Sequence, residues 1–149
     1  MAITKIFSLF AEDRIVFLSS GEKEAIITEL SRVSAGKVTD VKAFTDSVIE
    51  RENIVSTGVG QGFAIPHVKN NYVPEFFITA GIIRSGADWD AIDGQPVNVV
   101  FLIGGPDGKQ NEYLSILSKL SLIIKNPSSM EQLLASAEPG DVLRFFSRF

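Results

Sequence analysis

The sequence predicts an α/β domain in which helices cover both faces of a sheet. Three observations carry this. The runs FFITAGII (76–83) and VNVVFLI (97–103) are apolar without alternation, as strands buried on both faces are. Segments of helical period are interleaved with the strands and then follow them, the order of a layered α/β unit. The 149 residues and 45% hydrophobic content suit one domain, 1–149, able to bury a core without disulfides or metals.

Residues 3–10 have the pattern of a short amphipathic helix, and Ile15 to Leu18 that of a short strand. Ser19 followed by Glu22 has capping-box spacing, and Ile26, Ile27, Leu30 and Val33 recur at helical period. A helix is therefore predicted over 21–35, ended by Gly36. Asp40 is placed to cap a second helix, with Val41, Phe44 and Val48 as its apolar stripe and Arg51 in its last turn. A glycine-rich loop leads to a brief strand, Phe63 to Ile65, stopped by Pro66. After the strand at 76–83, SGADWDAIDGQP is polar and turn-rich. The strand at 97–103 is bounded by GGPDGKQ. The most regular helix follows, with Tyr113, Ile116, Leu117, Leu120, Ile123 and Ile124 on one face and Asn111 as its N-cap. Asn126-Pro127 stops it and begins another, with Pro127 at the first helical position and Met130, Leu133 and Leu134 turned inward. A last helix, about 139–148, carries Val142, Phe145 and Phe146. Sheet order and strand directions are not legible at this level.

Composition excludes several functions. Without cysteine there is no disulfide, thiolate metal site or thiol catalysis. A single histidine cannot build a histidine-based zinc site, and no carboxylate cluster has metal-ligand spacing, so no metal and no cofactor are expected. The formal net charge of −4 argues against a nucleic-acid partner. The N-terminal apolar run is cut short by Glu12, Asp13 and Arg14, unlike a secretory signal, and no run is long enough to span a membrane. A cytoplasmic location is expected.

The chemistry is concentrated in STGVGQGFAIPHVK (56–69). Alternate glycines allow the backbone to approach a ligand and to turn amide N–H groups toward an anion. The loop is neither a Walker loop, lacking Gly-Lys-Ser/Thr, nor the dinucleotide fingerprint, since its spacing is G-x-G-x-G and Pro66 interrupts any following helix. No G-x-S-x-G elbow supports a serine hydrolase. His67 is the only histidine, and a neutral imidazole can attack phosphorus without a separate base. From the residues alone the commoner reading is a histidine that satisfies a hydrogen bond at a strand end.

The segment RENIVSTGVGQGFAIPH (51–67) resembles the active-site signature of the type-2 (fructose- and mannitol-like) enzyme IIA family of the bacterial phosphotransferase system. The matching residues are Arg51, Glu52, Thr57, Gly60, Gly62, Ala64, Pro66 and His67. The resemblance continues through WDAIDGQPVNVVFLI (89–103) and NEYLSILSKLS (111–121) and covers nearly the whole chain. It implies an α/β sandwich with a mixed sheet of about five strands and helices on both faces. It implies a phosphotransferase whose His67 accepts a phosphoryl group at Nε2 from the histidine phosphocarrier protein. Arg51 matches the family's active-site arginine, and Thr57 is expected to donate its hydroxyl to the phosphate or to the histidine. The group then passes to an enzyme IIB domain, with a membrane permease involved only indirectly, or marks the protein for a regulated target. Of the two, the AIDGQPV stretch points to the nitrogen-regulatory branch. A binding module that works without phosphorylation is a third reading.

One position departs from the family pattern. Where many members carry a second histidine at the start of the long helix, this chain has Tyr113. A tyrosine can donate a hydrogen bond to a phosphoryl oxygen but is not a cation near neutral pH. A docking surface for partners is expected to be apolar and near His67, with Phe63 and Val68 as candidates.

Overall fold

The structure, a computed structural model, describes residues 6–19 and 21–149. The predicted helix at 3–10 lies partly outside them; within them Ile6–Leu9 form a short 3-10 turn. Six strands follow the chain: β1 (Ile15–Leu18), β2 (Gly58–Gly60), β3 (Phe63–Ala64), β4 (His67–Lys69), β5 (Phe77–Ala87) and β6 (Val97–Gly105). Five α-helices complete it: α1 (Lys23–Val33), α2 (Val41–Ile54), α3 (Gln110–Lys125), α4 (Ser129–Leu134) and α5 (Pro139–Phe146).

The sheet is mixed, as the resemblance implies, and runs β1-β5-β6-β3-β2, with β4 also paired to β6. β1 is parallel to β5, and β5 is antiparallel to β6. β3 and β4 both run parallel to β6 on one edge, and β2 folds back antiparallel to β3. Pro66 interrupts this edge without ending it. Ala64 faces Val100, and His67, three residues on, faces Ile103, so the register is unbroken. Proline removes a ladder donor, but its carbonyl still accepts from Ile103 N at 3.0 Å. The sheet is thus five positions wide but contains six strands. β2 and β4, the two that sequence reading missed, are short and lack an apolar pattern of their own.

Alternation along the strands separates two cores. Val99, Phe101 and Ile103 of β6, with Ile78, Ala80 and Ile82 of β5, pack against α3, α4 and α5. Val100 and Leu102, with Phe77 and Ile83, pack against α1 and α2. The same period assigns the edge that carries the histidine. Phe63 and Ile65 belong to the first core, and Ala64 and Val68 lie on the α1/α2 side. His67 and Lys69 continue the side that Phe63 and Ile65 begin. Phe63 is therefore core, 1% exposed, and not the docking residue expected from the sequence.

Several helix ends differ from the sequence expectation. α1 begins at Lys23 with Glu22 as N-cap and no side-chain cap, so the Ser19/Glu22 capping box is not formed. It ends at Val33, before Gly36, where Ser34 turns its hydroxyl onto Leu30 O at 2.7 Å and meets Thr79 Oγ1 at 2.6 Å. Asp40 caps α2 as expected, its Oδ1 accepting from Ala43 N at 3.0 Å. α3 starts one residue before Asn111, with Lys109 at the N-cap position and no side-chain cap. Pro127 sits in the turn before α4, whose N-cap is Ser128. There Asn126 Oδ1 accepts from the Ser128 amide and hydroxyl, an Asx turn that local sequence pattern did not reveal.

Candidate functional site

His67 opens β4 where the first core gives out at the sheet edge. It lines an open cavity of about 460 Å³ with Arg51, Thr57, Val59, Gln61 and Tyr113. His67 Nδ1 lies 2.8 Å from Ile65 O. A carbonyl can only accept, so Nδ1 carries the proton in this bond and the neutral ring keeps its lone pair on Nε2. Burial pushes the His67 pKa below its ordinary value, opposed by the Ile65 hydrogen bond and assisted by the positive field of Arg51; Glu52 raises it and Lys69 lowers it. Burial thus favours the neutral ring, and the Ile65 hydrogen bond leaves Nε2 as its free nitrogen, the state in which imidazole is a nucleophile.

The wall around it is built from three separate segments. Arg51, in the last turn of α2, donates to Val55 O at 3.3 Å. It therefore closes the helix C-terminus and lines the His67 cavity at once. Tyr113, in the first turn of α3, places its ring 5.3 Å from the His67 ring, tilted by 40°. Burial raises the Tyr113 pKa to about 12, although Arg51 pulls it down, so the hydroxyl keeps its proton. Lys69 Nζ stands 4.6 Å from the centre of the same tyrosine ring and donates to Gln110 Oε1. Arg51, Thr57, His67 and Tyr113, picked out from the sequence, thus line one cavity. Lys69 was missed: a lone lysine carries no signal until the strand and helix are placed.

Glu52 was recognised only as part of the motif. It is 3% exposed and accepts from Thr57 N at 2.8 Å, Thr57 Oγ1 at 2.5 Å and Lys23 Nζ at 3.1 Å. The Thr57 hydroxyl proton therefore goes to Glu52, and Trp89 Nε1 approaches Thr57 Oγ1 at 3.4 Å. Thr57 O in turn accepts from Ile65 N at 3.0 Å. A continuous path of hydrogen bonds runs from Glu52 through Thr57 and Ile65 to His67. The glycine loop is pinned from outside by the stretch 88–96: Gln61 N donates to Asp93 Oδ2 at 3.0 Å, and Ile92 N to Gly58 O at 3.0 Å. Gly58 has to be glycine, because a Cβ there would lie 2.8 Å from the Ala91 Cα. Among the described residues no group of three or more acidic or histidine side chains gathers as a metal site would require. Nor is any helix of the described residues long and apolar enough to cross a membrane.

Fold and cavity define a class: an α/β domain that presents one tautomer-fixed imidazole among cations at a sheet edge. The sequence matches, over residues 8–149, the family described as "Phosphoenolpyruvate-dependent sugar phosphotransferase system, EIIA 2", and the chain belongs to that family. Enzyme IIA domains of this kind are phosphotransfer components of that system. The chain is 38% identical over 128 residues to the "PTS system fructose-specific EIIABC component" of Bacillus subtilis (strain 168). That match takes in 85% of this chain but only 20% of the much longer relative. It is 33% identical over 146 residues to a "Mannitol-specific phosphotransferase enzyme IIA component" of Staphylococcus aureus, covering 93% of this chain and 94% of the relative. In structure it is similar to the nitrogen regulatory protein IIA-Ntr of Neisseria meningitidis, with a TM-score of 0.88, 26% identity, and coverage of 95% and 98% of the two chains.

Proposed function

We propose that this chain carries a phosphoryl group on His67 Nε2, received from the histidine phosphocarrier protein. The observation that supports it most directly is the Nδ1–Ile65 hydrogen bond, which leaves the Nε2 lone pair free in a cavity lined by Arg51. In the step, the Nε2 lone pair forms the new N–P bond while the donor's N–P bond breaks and its electron pair returns to the donor imidazole. Nδ1 keeps its proton and goes on donating it to Ile65 O, which steadies the positive charge that the phosphorylated ring acquires. Charge on the phosphoryl oxygens is met by the planar fork of Arg51 and by the Tyr113 hydroxyl. Thr57 acts through Glu52 and Ile65, holding the backbone that orients the ring, rather than by donating its own hydroxyl proton.

The partner face follows from the exposed apolar side chains. Val59 lines the His67 cavity, and Ile54, Val55 and Ile92 line the depression next to it, all four exposed. Such a rim suits brief, small encounters between phosphocarriers. For the next acceptor we favour an enzyme IIB domain over the nitrogen-regulatory target that the AIDGQPV stretch suggested. That stretch has a local role, pinning the glycine loop, and two of the sequence relatives are sugar-specific by name. The regulatory reading keeps the support of the structural similarity to IIA-Ntr and of a sequence relative, 28% identical over 123 residues, that is named a nitrogen regulatory protein in Bradyrhizobium diazoefficiens.

Incubation with phosphoenolpyruvate, enzyme I and the histidine phosphocarrier protein, followed by intact-mass analysis, tests the carrier reading. One acid-labile phosphoryl group is expected, absent in His67→Ala. No adduct with a cognate donor would overturn it. Passage of the label to an enzyme IIB domain separates the sugar-specific reading from the regulatory one.

A further inference from the structure

We infer that Lys69 is a second phosphoryl-binding cation of this site, held beside His67 by the ring of Tyr113 and the amide of Gln110. The inference rests on the carrier reading above and goes beyond it in naming a residue that neither the motif nor the tyrosine substitution singled out. Lys69 follows His67 by two residues on β4, so the two side chains leave the strand on the same side. Both meet one aromatic ring, the imidazole 5.3 Å from its centre and the ammonium 4.6 Å. A cation over an aromatic face is attracted but not neutralised. The ammonium's hydrogen-bond acceptor, Gln110 Oε1, is likewise a neutral amide. The charge is therefore fixed in place yet still available to an anion. Gln110 and Tyr113 are three apart on α3 and form one face of its first turn, so a single helix end aligns both supports. Phosphorylation of His67 brings an anion beside this ammonium, and the four-carbon lysine stem lets the charge swing from Gln110 to a phosphoryl oxygen. In this arrangement the Tyr113 ring has a positioning role beside that of its hydroxyl: it holds a cation next to the histidine without being one itself.

The test measures the rate of His67 phosphorylation in the parent chain, Lys69→Met and Lys69→Arg, with two donors: the phosphorylated histidine phosphocarrier protein and the small chemical donor phosphoramidate. Thermal melts check that each variant folds, and His67→Ala checks that the label is on His67. Lys69→Met is expected to be slower by about 10- to 100-fold with both donors, and Lys69→Arg to recover most of the loss. An unchanged rate in Lys69→Met with phosphoramidate overturns the assignment while leaving the carrier reading intact. So does a loss seen only with the protein donor, which would place Lys69 in docking, or a loss that arginine does not repair. A parent chain labelled by neither donor removes the carrier reading, and this inference with it.

Discussion

Replacing Glu52 should cost stability in proportion to what its carboxylate holds. The side chain is almost fully buried and accepts three hydrogen bonds, two from Thr57 and one from Lys23. In Glu52→Ala the Thr57 amide and hydroxyl lose their acceptor in a site that is 6% exposed, while the partly exposed Lys23 can rehydrate. An unpaired buried polar group costs about 1–3 kcal/mol. Two such groups, the Thr57 amide and hydroxyl, are left unpaired, so about 2–5 kcal/mol is expected for Glu52→Ala. Glu52→Gln is milder. The amide oxygen can keep the Thr57 N–H and Lys23, and the Thr57 hydroxyl can rotate to accept from the amide nitrogen. The loss of charge assistance should then cost about 1–2 kcal/mol. Urea unfolding at pH 7, with slopes compared to exclude a change in the unfolded ensemble, gives both values. A loss below about 1 kcal/mol for Glu52→Ala at unchanged slope would refute the reasoning, since a carboxylate with these partners cannot be that dispensable.

Two further predictions follow from the same geometry. The chain has one histidine, so a single imidazole signal in NMR should titrate below the ordinary value of about 6.5. Since the folded pKa is the lower of the two, the unfolded chain takes up the proton first. The His67 contribution to stability should therefore be flat above about 6.5 and fall as pH drops from there toward the folded midpoint; a midpoint above 6.5 would contradict the burial argument. Gly58→Ala should destabilise by about 1–3 kcal/mol, because its Cβ would meet Ala91 backbone and side chain at 2.8 and 2.7 Å. Gly36→Ala, with nothing within 4 Å of the added carbon, is the contrast expected to melt near the parent.

The parts of the fold that were legible in the sequence are those whose stability is local or whose burial is complete. β5 and β6 announce themselves because both faces are covered, and α2 because Asp40 supplies its own cap. β2 and β4 were not legible: GVG and HVK have no strand pattern, and become strands only because β3 and β6 offer unpaired edges. Asn111 and Pro127 have the right chemistry for helix starts, but α3 begins two residues earlier than an Asn111 cap would set it and α4 two residues later than Pro127. At the site, the motif marked His67, Arg51 and Thr57, and the departure from the family pattern marked Tyr113, yet neither showed the direction of the Thr57 proton. That depends on Glu52 being folded under the loop, a contact across five residues that turns back on itself.

This contact also explains why the imidazole of His67 and a buried acid five residues from Thr57 belong to one device. An imidazole attached to a strand end could rotate about its own bonds and offer either nitrogen. Here the Ile65 carbonyl selects Nδ1 as donor, and the Ile65 amide is fixed by the Thr57 carbonyl. Thr57 is in turn fixed at its amide and hydroxyl by Glu52, anchored to α1 through Lys23. Each link uses a group that burial would otherwise leave unpaired, so the orientation of the ring is maintained by the same bonds that satisfy the fold. If that coupling is real, Glu52→Ala should do more than lower stability. In protein that is still folded, the Nδ1–H resonance of His67 should broaden or vanish through faster exchange. Phosphorylation of His67 should also slow although no residue lining its cavity has been changed. A sharp, protected Nδ1–H in Glu52→Ala would show that Ile65 holds the ring unaided and that Glu52 serves the fold alone.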